Sequence, residues 1–178
     1  MQKKTLILFI LIGLAPFMWG KVSRFELSAS PGLVLFGDAL GGGITVSLDY
    51  PLLHLWNISW PVKTRAVLFG EMSGGTNTSF WNAGMGIGIA GYYTFPDLSA
   101  LTLEGGIDLI PAVYGFGFKV GGVSGNQMGF GMIFAPYAAG IYHFTPSWGG
   151  RVDLSYHVGV YDSFFGYIVI GMGVAYAF

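Results

Sequence analysis

The feature that most limits what this chain can become is a two-residue alternation of side-chain character along most of its length. In GITVSLDYPL, Ile44, Val46, Leu48, Tyr50 and Leu52 fall on one face, and Thr45, Ser47 and Asp49 on the other. Farther on, Trp56, Ile58, Trp60, Val62, Ala66 and Leu68 share a face, against Asn57, Ser59, Lys63 and Arg65. The last segment sets Ile168, Ile170, Met172, Val174, Tyr176 and Phe178 on one side, with Tyr167, Val169, Gly171, Gly173, Ala175 and Ala177 on the other. Side chains of an extended strand point alternately to opposite faces, so the pattern is that of β-structure with two chemically different faces. Apolar stretches elsewhere are broken by Gly, Ser, Asn, Pro and acids, which argues against helices of ~20 continuous apolar residues crossing a membrane.

Eight alternating segments can be marked, roughly Arg24–Phe36, Gly43–Leu52, Trp56–Met72, Trp81–Phe95, Leu101–Gly121, Gly129–Phe144, Gly150–Tyr161 and Phe165–Phe178. The linkers GDALGG, LHL, SGGTNTS, PDLSA, VSGNQM, TPSWG and DSF have turn composition. The chain is 53% hydrophobic and only 10% charged, against about 25% charged in an ordinary soluble domain. A small domain cannot hide that much apolar surface inside itself. The apolar faces therefore look outward, toward lipid. In lipid every backbone group must be satisfied internally, and strands achieve this only by closing into a barrel. Aromatic residues gather at two levels. Tyr50, Trp56, Tyr93, Phe95, Tyr142, Phe144, Tyr176 and Phe178 lie near the turns on the side of the termini, and Phe36, Trp81, Phe130, Phe164 and Phe165 near the opposite turns. Two aromatic girdles around an apolar band belong to transmembrane barrels.

The first residues are read separately. MQKKTLILFILIGLAPFMWG has two lysines, an apolar run from Leu6 to Leu14 and then small residues, the order of a secretory signal peptide. Residues 1–20 are expected to be removed and 21–178 to form one barrel domain. Cysteine is absent, which excludes disulfides, thiolate metal sites and cysteine catalysis. A net charge of -1 carries no nucleic-acid footprint.

With strand number, alternation, leader and the terminal VAYAF on the page, the chain resembles the small eight-stranded bacterial outer-membrane barrels of the broad OmpA/OmpX/OmpW type. The resemblance implies an all-β, antiparallel, up-and-down barrel in the outer membrane of a Gram-negative cell envelope, porin-like in architecture. It implies outer-membrane lipid and lipopolysaccharide as surroundings, and periplasmic chaperones and the barrel-assembly machinery as partners during biogenesis. It also implies a monomer and no cofactor. Met172, Val174, Tyr176 and Phe178 resemble the terminal assembly signal of this class. No motif specific to one member is present, so the resemblance speaks to location more than to activity.

The inward face carries the polar chemistry, with acids and bases mixed. Hairpin registers bring Arg65 level with Gly88 and Gly88 level with Asp108. The inward side of the fourth segment is Gly84, Gly86, Gly88 and Ala90, so long side chains can meet across it. Lys63, Arg65, Glu104 and Asp108, joined by Arg151 and Asp153, are expected to form a charge network in the lumen, because a charge buried alone is too costly. The small inward residues also leave volume for a cavity, which Tyr92, Tyr137 or Tyr161 could fill. Asp153, Ser155 and His157 share a face two residues apart. Such neighbours stand ~6–7 Å apart along a strand, beyond direct hydrogen-bond reach without help from the rotamers. Their inward parity also turns them away from lipid. No catalytic, cofactor or metal site is expected, and the chain is not expected to be an enzyme. Pro111 and Pro136 interrupt adjacent strands, and the large apolar residues change from odd to even positions after Pro111, which a bulge would explain. The expected roles are a narrow or plugged barrel with a structural or small-solute function, or an OmpW-like channel with lateral exit for apolar molecules. A lipid-modifying enzyme is the remaining alternative.

Overall fold

The computed structural model describes residues 25–37, 39–51, 62–95, 97–98, 100–120, 123–160 and 164–178. The expected signal peptide, Arg24, Leu52, Trp56, Asn57, Ile58, Ser59, Trp60 and Tyr161 lie outside them. The described residues form eight strands: β1 (Glu26–Phe36), β2 (Ala39–Pro51), β3 (Val62–Gly74), β4 (Thr78–Thr94), β5 (Leu101–Val120), β6 (Val123–His143), β7 (Trp148–Val160) and β8 (Phe164–Ala177). Each pairs antiparallel with its neighbour in sequence, and β1 pairs with β8, so the sheet closes. At the seam Phe25 and Phe178 exchange both backbone hydrogen bonds, at 3.2 and 3.0 Å.

The strands run longer than the composition of their ends suggests. GDALGG and VSGNQM read as turns, yet most of the first belongs to β2 and all of the second to β6. The β1–β2 reversal falls between Phe36 and Ala39, and there Gly37 takes φ 59°, a left-handed conformation natural to glycine. The glycines and polar residues of VSGNQM are carried into the ladder by their register with β5, Val120↔Val123 through Gly115↔Met128.

Following the register once around the wall from Phe164 leads through Val160, Met132, Pro111, Met85, Leu68, Val46 and Ala29 back to β8 at Val174, a stagger of ten residues. For eight strands that corresponds to a tilt of about 40°. Phe164 and Tyr176 are twelve residues apart on β8, which at this tilt is about 30 Å of height. Trp81, Phe130 and Phe164 ring the upper level on the outside, and Tyr93, Tyr142, Trp148 and Phe178 the lower. The spacing matches the hydrocarbon thickness of a bilayer. Between the rings the outer wall is apolar; among the described strand residues the one outward charge is Lys119, near the tip of β5. Phe36 and Phe165, expected in the upper girdle, instead turn inward and pack on Phe80. At strand tops both faces are aromatic, so residue type alone does not tell girdle from plug.

No bulge occurs at Pro111. The register of β5 with β6 is unbroken from Leu101↔Tyr142 to Val120↔Val123, and even-numbered residues of β5 face inward along its membrane-spanning length. What changes on ascending β5 is the chemistry of that inner face, from Glu104 and Asp108 to Ile110, Ala112 and Tyr114. Proline instead deletes rungs on the side its missing N–H would have served. The β4–β5 ladder skips from Gly84↔Ala112 to Ile87↔Leu109 beside Pro111. The β6–β7 ladder skips from Phe134↔Val158 to Tyr137↔Ser155 beside Pro136, and β1–β8 from Ala29↔Val174 to Gly32↔Gly171 beside Pro31. In each case the count of residues is equal on both strands, so the wall is thinned and not kinked.

Candidate functional site in the lumen

The inward side chains are stacked in three layers. The lowest, at the end of the barrel where Phe25 pairs with Phe178, is ionic. Glu104 holds both Lys63 Nζ and, at 2.9 Å, Arg151 Nη1. Arg151 Nε lies 3.5 Å from Asp153 and its Nη1 3.9 Å from Glu26. Arg65 Nε sits 3.8 Å from Asp49 and 3.7 Å from Asp108. All six residues expected in the charge network are thus brought together, and Glu26 and Asp49 join them. The small residues of β4 make this possible: Arg65↔Gly88 and Gly88↔Asp108 are successive rungs, and a Cβ on Gly88 would collide with the Asp108 carboxylate. Tyr137 closes the layer from the side, with the Arg65 guanidinium 4.3 Å from its ring centre. Lys63 lies over Tyr92 in the same way, at 5.0 Å.

Oxygens of Glu26, Asp49 and Glu104 come within 4.8 Å of one another, an oxygen-only set. Lys63 and Arg151 already stand among them, so the chain supplies cations of its own there. Below the layer a cavity of about 400 Å³ opens at the lower mouth, with Glu26, Asp49, Lys63, Thr94, Thr102 and His143 among its lining.

The middle layer is apolar: Val67, Phe69, Ile110, Ala112, Ile133 and Ala135, all buried. The volume expected beside the glycines of β4 is filled from β3 and β5; a Cβ on Gly84 would stand 2.8 Å from the Phe69 ring and 2.9 Å from Ile110. The void left at the boundary with the ionic layer, lined by Arg65, Phe69, Asp108, Tyr137, Ser155 and His157, is about 20 Å³, room for about one water. The top layer is aromatic. Val34, Phe80, Tyr114, Tyr167 and Val169 form it, with Phe36, Phe116 and Phe165 packed against them. Phe36 and Phe80 stack at 5.2 Å, and Phe165 meets Phe80 edge-on at 5.2 Å.

A second polar cluster, not anticipated, spans the middle and top layers. Tyr167 Oη donates to Glu71 Oε2 at 2.7 Å, and Asn82 Nδ2 donates to Tyr167 Oη. His157 Nδ1 lies 3.0 Å from Tyr167 Oη and 3.3 Å from Glu71 Oε1. Its Nε2 lies 3.0 Å from Ser155 Oγ. The rotamer help that strand spacing calls for is present: the two residues lie two apart on one face of β7, and their side chains lean together and close the gap. Asp153 takes no part and faces Arg151. The inward parity of Glu71 follows from Arg65, Val67 and Phe69, but Asn82 and Tyr167 reach it from β4 and β8, a juxtaposition that only the stagger of the closed barrel creates.

Comparison with solved structures finds the same architecture. Neisserial surface protein A matches with a TM-score of 0.58 at 15% identity, over 87% of this chain and 96% of that one. The attachment invasion locus protein of Yersinia pestis matches with 0.52 at 14%, over 88% and 97%. A major outer membrane protein of Thermus thermophilus matches with 0.51 at 13%, over 89% and 100%. No protein-family model matches the chain, and no curated protein does. At these identities the likeness is one of fold: a closed, eight-stranded antiparallel barrel of the kind built by small outer-membrane proteins.

Proposed function

We propose that the protein is a monomeric, integral outer-membrane barrel of a Gram-negative envelope with a sealed lumen, and that its role is structural or at the surface. The packing of three layers across one narrow bore, ionic, apolar around Phe69 and aromatic, with the Glu71, Tyr167 and His157 side chains packed between the upper two, carries this reading. Eight strands leave an interior just wide enough for side chains, and apolar constrictions exclude ions by excluding water. The apolar outer wall between its two girdles fits lipid and lipopolysaccharide around the barrel. Purified protein, shown to be folded by its gel shift on heating, is expected to be silent in a planar bilayer. Discrete conductance steps from the unmodified chain would overturn the sealed-lumen reading.

Delivery to that membrane is assigned to the barrel-assembly machinery, through Met172, Val174, Tyr176 and Phe178. Met172, Val174 and Phe178 are exposed on the outer wall with Tyr176 half-buried between them, and the Phe178 ring stacks on Phe25 and Tyr176 at 5.7 and 5.9 Å. Deleting Phe178 is expected to lower the heat-modifiable fraction recovered from outer membranes several-fold. An unchanged yield would remove these residues from the assembly role.

A further inference from the structure

We propose that Ser155 is a nucleophile activated by His157, with Glu71, Tyr167 and Asn82 as positioning residues, and that it accepts the acyl group of an apolar ester dissolved in the bilayer. The proposal stands whether or not the lumen conducts. Its basis is the proton arrangement of the cluster. The Tyr167 hydroxyl proton is given to Glu71 Oε2. Its oxygen already accepts from Asn82. At 3.0 Å from that oxygen, His157 Nδ1 must therefore be the donor. A neutral imidazole protonated on Nδ1 has its lone pair on Nε2. That lone pair faces the Ser155 hydroxyl at 3.0 Å, the relation of a general base to a serine nucleophile. Glu71 Oε1 is buried, accepts no hydrogen bond and stands 3.3 Å from His157 Nδ1. It is placed to hold the imidazolium that proton transfer creates, as the acid of a serine triad does.

The Ser155 hydroxyl faces the lumen, against His157, so the proposal requires a substrate to part β6 from β7 at the wall beside Pro136. Where the β6–β7 ladder loses its rungs, the outer surface carries a groove of about 310 Å³ lined by Pro136, Ala138, Leu154, Ser155, Tyr156 and Ile168. Ser155 and Tyr137 also line the small void inside. His157 and Glu71 are buried, whereas Ser155 is half-buried. The height of the site selects the substrate. Ser155 pairs with Val169, five residues along the tilted β8 from Phe164, about 15 Å below the upper girdle. An ester fixed at headgroup level does not reach it, while an apolar ester free in the hydrocarbon does.

In the reaction Ser155 Oγ bonds to the acyl carbon as its proton passes to His157 Nε2. The carbon–oxygen bond to the alcohol then breaks, and the alcohol leaves with that proton. Water, deprotonated by the same Nε2, cleaves the acyl-serine to a carboxylic acid and restores the serine.

A long-chain alkyl fluorophosphonate, added to the folded barrel in lipid, tests this by mass spectrometry. One adduct on Ser155 is expected, absent in Ser155→Ala and formed about 100-fold more slowly in His157→Gln. If His157→Gln does not show the heat shift of a folded barrel, Glu71→Gln replaces it, with labelling slowed at least about tenfold. No adduct on Ser155 in a folded barrel, or labelling at the unmodified rate in the folded His157 or Glu71 variant, overturns the proposal.

Discussion

Arg151→Ala is expected to cost about 3–5 kcal/mol of unfolding free energy, the penalty for breaking a buried ion network from one side. Arg151 is 1% exposed and stands between Glu104, Asp153, Glu26 and Asp49, at 2.9 to 4.0 Å. Its removal leaves Lys63 and Arg65 to balance Glu26, Asp49, Glu104, Asp108 and Asp153. Urea titration in lipid, read by the heat-shifted gel band, measures the loss. Arg151→Lys should recover only part of it, because one ammonium cannot serve Glu104 and Asp153 from two nitrogens as the guanidinium does. The double change Arg151→Met with Glu104→Gln should cost less than the sum of its parts, since the charge most directly orphaned is then removed too. A loss below about 1 kcal/mol for Arg151→Ala would mean that water reaches the layer and screens it.

Much of this network was legible in the sequence because strand parity is unforgiving. Once Arg65 is placed inward, Lys63 and Glu71 must follow, and turn positions alone were enough to align Arg65, Gly88 and Asp108. Parity says which face a residue takes but not how high it sits or what faces it across the bore. That depends on the stagger accumulated around the whole wall. Glu71 and Tyr167 are 96 positions apart in the chain, and nothing local links them. The Pro111 misreading has the same origin. Aromatic residues at even positions above it looked like a change of phase, whereas β5 keeps its phase and simply climbs from the ionic layer into the aromatic one. Ser155 and His157 show the limit of backbone spacing as a ruler, because two side chains leaning toward each other cover a distance that their Cα atoms do not.

Because the layers lie in series, opening one is expected not to open the barrel. Lys63→Ala with Arg65→Ala removes two of the long side chains from the ionic layer, but Phe69 and Phe80 remain across the bore above it. That variant should be destabilised yet electrically silent. Phe69→Ala with Phe80→Ala removes apolar bulk and leaves Arg151 and its carboxylates below, so it too should stay closed. Only the fourfold variant should show discrete openings, as water then has a continuous path. Each Phe→Ala change costs about 3–5 kcal/mol, so every variant must first show the heat shift of a folded barrel. If the fourfold chain does not, Val replaces Ala at both Phe positions. Conductance steps from the Lys63/Arg65 variant alone would show that the aliphatic and aromatic layers do not seal. The barrel would then be a channel gated by its charges, and the sealed-lumen assignment would fall with it.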